Sequence, residues 1–97
     1  MRKEKIHSTV IRQDFMDDGE NEYTYELLMQ EGQKTVNYKI PLYSIRVNMK
    51  DSSGVTTSAS VKEIFADAGK AINFYEKIVH GLATPIDLVY VAEDELH

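Results

Sequence analysis

Cysteine and tryptophan are absent from the chain, and proline occurs only at Pro41 and Pro85. Without cysteine there is neither a disulfide framework nor a thiolate-ligated metal site. The five glycines, Gly19, Gly32, Gly54, Gly69 and Gly81, are isolated, so no phosphate-cradling loop is written in the sequence. No apolar run approaches the roughly 20 residues that a membrane-spanning helix needs. The opening "MRKEKIHSTV" is charged and lacks the apolar stretch of a secretion signal, which predicts a cytoplasmic setting with no membrane attachment.

What is present is ordinary for a globular domain. Of 97 residues, 42% are hydrophobic and 28% charged, enough for one modest core and too apolar for disorder. A single domain over 1–97 is expected. The formal net charge is −5, concentrated toward the C-terminus: residues 55–97 hold three Lys against seven acids. Nucleic acid binding draws most of its affinity from phosphate neutralisation, so this balance disfavours it.

The chain divides into strands and then helices. "EKIHSTVIRQ", residues 4–13, is rich in β-branched residues with neither face strongly apolar, and reads as an edge strand. "DDGENE", residues 17–22, is turn chemistry. In a second strand, 23–30, Tyr23, Tyr25, Leu27 and Met29 share one face; "EGQK", residues 31–34, reads as the next turn. The third stretch, 35–50, alternates on even positions through Leu42 and on odd positions from Tyr43. That change of parity predicts a kink at Pro41. "DSSG", residues 51–54, closes a hairpin, and 55–65 supplies a fourth strand.

Asp67 is a good N-cap for a helix over 67–80, with Ala68, Ala71, Ile72, Tyr75, Ile78, Val79 and Leu82 at helical spacing. Gly81 stands where a C-cap glycine belongs. The last tract, "GLATPIDLVYVAEDEL", alternates like a strand at Ile86, Leu88 and Tyr90. However, Thr84 before Pro85, with Asp87 three residues on, is a capping sequence and predicts a helix over 85–96. Its acids Glu93, Asp94 and Glu95 then crowd the negative end of the helix dipole. The pattern predicts an α+β fold: a four-stranded antiparallel meander followed by two C-terminal helices packed on one sheet face.

The tract from Val61 to Leu96 resembles a family of small clostridial and other Firmicute proteins of unknown function. The resemblance rests on Asp67, Thr84, Pro85, Ile86, Leu88, Val91, Glu93, Asp94 and Leu96, with Tyr43 to Met49 matching that family's central strand. It implies a fold and a bacterial cytoplasmic setting, and no activity.

Candidate chemistry is sparse. An EF-hand alignment that sets Gly19 at the sixth position puts Met16 and Tyr25 where oxygen ligands belong, so a solvated hairpin is the better reading. Asp87, Glu93, Asp94 and Glu95 crowd a short terminal helix, and one of the Glu93–Asp94 pair is expected to pair with a strand cation such as Arg46. His7, His80 and His97 lie in separate elements and lack metal-ligand spacing. Tyr23, Tyr25, Tyr38 and Tyr43, with Lys39 and Arg46 among them, form a candidate binding surface able to stack bases or a peptide. No catalytic, metal or cofactor site is expected. The leading expectation is a non-enzymatic interaction module that binds a protein partner or itself. The alternatives are a small-molecule or nucleotide sensor using the tyrosine face, and an enzyme whose site is assembled from scattered residues.

Overall fold

The computed structural model describes residues 8–34 and 39–95. Four strands come first: β1 (Ser8–Asp17), β2 (Glu22–Lys34), β3 (Lys39–Lys50) and β4 (Thr56–Phe65). Two helices follow, α1 (Ala68–His80) and α2 (Pro85–Glu95). The sheet is an antiparallel meander in the order β1-β2-β3-β4, as predicted.

Alternation along the strands builds one apolar face. Tyr23, Tyr25 and Leu27 of β2 and Tyr43, Ile45 and Val47 of β3 are buried there together with Ala71, Phe74, Tyr75, Ile78 and Val79 of α1 and Leu88 and Ala92 of α2. Both helices therefore cover the same face. The other face carries polar rows, among them Gln13–Glu26–Arg46–Ser60 across all four strands.

The two sheet edges differ. In β1 the register slips between Val10 and Arg12, leaving Ile11 as the extra residue of a bulge. The bulge reverses the parity of the rest of the strand, so Arg12 and Asp14 pair with Leu27 and Tyr25 on the helix-covered face. β4 is also irregular, but only between Val61 and Phe65; it pairs regularly from Thr56 to Val61, and that stretch holds no charge, proline or glycine.

Several expectations shift. β1 runs on to Asp17, and its expected residues 4–7 lie outside the described residues. β2 continues through Glu31–Lys34, where a turn is expected. The β2–β3 ladder is regular through Gln30↔Leu42 and Glu31↔Pro41, so the pairing shows no break at Pro41 itself; the irregularity lies beyond it, before Lys34↔Lys39, where β2 carries one residue more than β3.

In α1 the covered arc is centred on Ala71, Phe74, Tyr75 and Ile78, which leaves Ala68 and Ile72 on the exposed flank. Phe74 takes the place expected of Ile72, its ring 5.5 Å from that of Phe65.

The helix ends obey local rules closely. Lys70 N donates to Asp67 Oδ2 at 3.2 Å. A reciprocal capping box opens α2: Thr84 N donates to Asp87 Oδ2 at 3.1 Å and Asp87 N to Thr84 Oγ1 at 3.2 Å. The ambiguous final tract is thus a helix. The end of α1 departs from expectation. Gly81 is the C-cap but stays right-handed at φ −85°, and Leu82 takes the left-handed conformation at φ 50°. Leu82 N donates to Val79 O and Ala83 N to Ile78 O, both at 3.1 Å, which is the Schellman pattern.

Candidate functional site

The tyrosines of the sheet belong to the core. The rings of Tyr23 and Tyr25 stack at 5.9 Å, and these two with Tyr43 are buried. They are therefore not free as an open stacking platform, because the face they share is the one the helices cover. Tyr38 and the side chain of Lys39 lie outside the described residues. The Tyr25 hydroxyl donates to Ala83 O at 2.9 Å, tying β2 to the link between the helices. The Tyr75 hydroxyl lies between two acceptors, Asp14 Oδ2 at 2.7 Å and Tyr25 O at 3.0 Å. It has one proton for both. Burial, the largest cause in each case, pushes both phenols well above their ordinary pKa.

Beside this network, Arg12 joins β1 to α1. Its guanidinium meets Glu76 Oε2 at 3.2 Å and Asp14 Oδ2 at 3.4 Å and lies over the Tyr75 ring at 5.2 Å. The hydrogen bond to Glu76 is the main reason its pKa is raised further. All three charged side chains are about one-third or more exposed, so water screens these pairs and they add little to stability. On the opposite face Arg46 Nε donates to Glu26 Oε1 at 2.6 Å and Gln13 Nε2 to Glu26 Oε2 at 3.2 Å. Arg46 therefore pairs across strands with Glu26. Glu93 and Asp94 are exposed, and the pairing expected between one of them and Arg46 is not formed. A directly opposed neighbour on the ladder outcompetes a helix on the other side of the sheet.

The acidic loop before β2 is a hairpin turn. Gly19 N donates to Asp17 Oδ1 at 2.6 Å, and Asp18 Oδ1 accepts from Glu20 N and Asn21 N at 2.9 and 2.7 Å. Gly19 has φ 93°, the conformation that favours glycine. These backbone bonds hold Asp18 below the usual carboxylate range. Asp51 is lowered by Ser53 first and then by Val55 N–H, in the corresponding turn before β4. Asp14 points to Tyr75, away from this loop. Among the described residues no group of three or more His, Asp or Glu is placed to hold a metal ion. His80 is exposed at the end of α1, and His7 and His97 lie outside the described residues.

What sequence reasoning missed is on α2. Pro85, Leu88 and Ala92 face the core. Ile86, Val89 and Tyr90, one helical turn apart, form a second apolar stripe that is 65%, 44% and 64% exposed. Glu93 continues the stripe, and Asp87 and Asp94 border Tyr90. α2 contains four acids and no base. The signal was legible: seven of its first eight residues are apolar, more than one buried face can absorb. Phe15, 71% exposed, is on the other side of the molecule among polar neighbours.

Fold and surface together define a small two-layer α+β domain, one sheet face roofed by two helices, with an unpartnered apolar stripe on the second helix. The chain belongs to a family of unknown function, DUF6514, whose model matches residues 4–97, well beyond the C-terminal tract that carries the resemblance in the sequence. No curated protein and no solved structure matches it. Among the described residues no helix is long and apolar enough to cross a membrane.

Proposed function

We propose that this protein is a small, non-enzymatic interaction module of the bacterial cytoplasm that binds a protein partner through the outward face of α2. The observation that carries the reading is the Ile86–Val89–Tyr90 stripe: three large apolar side chains, contiguous on one helix face, turned away from a core that is already complete. An amphipathic helix face of this kind is what helix-recognising partners cover. The clustered ionisable groups favour a structural role for themselves, since Arg12, Asp14, Tyr75 and Glu76 are engaged with one another across β1 and α1.

The test is photo-crosslinking in cells from a probe residue placed at Asn73 on the exposed side of α1 or at Tyr90 in α2. A discrete adduct is expected from position 90 and none from position 73. No adduct at either position, or equal adducts at both, would remove the support for this reading.

A further inference from the structure

We infer that the partner segment docked on α2 is an amphipathic, basic polypeptide; this rests on the interaction reading above. The inference comes from charge. Every charged residue of α2 is an acid: Asp87 in the first turn and Glu93, Asp94 and Glu95 in the last. The last three lie at the helix C-terminus, where the backbone dipole is itself negative and where no Lys, Arg or His stands in the final turn. Within α2 no cation stands beside these acids. A partner carrying Lys or Arg beside its apolar residues would neutralise this rim while covering Ile86, Val89 and Tyr90.

The same charge pattern selects against other occupants. A second copy would set eight carboxylates of two such helices together, on chains of net charge −5 each. A nucleic acid or an anionic lipid surface would meet the same field with the wrong sign. Apolar contact gives such a surface its affinity, and the charged rim chooses among partners and speeds encounter.

The experiment uses two synthetic 14-residue peptides of helical periodicity, one of Leu and Lys and one of Leu and Glu, titrated into the full isotope-labelled chain. The Leu–Lys peptide is expected to shift the amide signals of Ile86, Val89 and Tyr90 and the methyl signals of Ile86 and Val89. Its affinity should fall about tenfold in Tyr90→Ser, as for a central interface anchor, and should weaken with added salt. The Leu–Glu peptide is expected not to bind. Equal binding of both peptides, shifts centred elsewhere, or affinity unchanged in both Tyr90→Ser and Ile86→Ser would overturn the assignment. A dimer of the free chain that Tyr90→Ser dissociates would also overturn it, naming a second copy as occupant while leaving the interaction reading standing.

Discussion

At the scale of single residues, two phenols do most of the cross-linking between layers. Tyr25 reaches the Ala83 carbonyl and Tyr75 reaches the Tyr25 carbonyl, so strand, helix and inter-helix link are joined through buried oxygens. Tyr25→Phe keeps the ring and removes the donor, leaving the Ala83 carbonyl unsatisfied at a cost of about 1–3 kcal/mol. Urea denaturation at neutral pH should show this loss. The same hydroxyl sets an alkaline limit. A phenol whose folded-state pKa is raised holds its proton after the unfolded chain has lost it. Its contribution is full below the unfolded value near 10 and is lost as pH rises through that value toward the folded one. Stability measured at pH 8 and pH 11 should therefore fall less in Tyr25→Phe than in the parent chain. Asp18 and Asp51 act in the opposite sense: their lowered values support the turns above the ordinary carboxylate range, and that support is lost as pH falls through the folded values.

At the scale of elements, what the sequence reveals depends on how local the governing physics is. The N-caps at Asp67 and Thr84 depend on residues three apart, and both form as read. Thr84→Ala should cost about 0.5–2 kcal/mol, by thermal or chemical denaturation, because it opens the capping box. The core face of β2 and β3 was equally legible, since alternation fixes it. The α1 face was legible only in part: Ala71, Phe74 and Ile78 already have the right spacing, yet Ile72 is equally hydrophobic and only the sheet below decides between the two flanks. Ile78→Ala, at the centre of that face, should lose about 2–5 kcal/mol; a loss below ~1 kcal/mol would contradict its burial. The Ile11 bulge and the left-handed Leu82 had no sequence signal. A bulge is a property of two strands in register, and a Schellman end normally announces itself by glycine at the position that Leu82 holds here. The α2 stripe was readable from composition, but its exposure depends on where α2 sits, over β4 and β3 with its outer side uncovered.

At the scale of the whole molecule, one helix layer on one sheet face makes a thin body. Its extents are 49 × 35 × 21 Å, and its radius of gyration, 14.8 Å, exceeds the about 12.5 Å of a compact domain this long. Such a shape has much rim for its volume, and the rim is unevenly defended. On one flank the bulge and the inward-turned Arg12 and Asp14 spoil the template that a lone strand offers. On the other, Thr56 to Val61 pairs in unbroken register with β3 at the sheet edge and has no charged side chain to turn a visitor away. Under heat or shear, fibrils should therefore start from the fourth strand, and Ser58→Lys, opposite Asn48, should lengthen the lag before thioflavin fluorescence rises; an unchanged lag would place the seed elsewhere. The shelf life of the protein in a vial is then set by six small residues along one sheet edge.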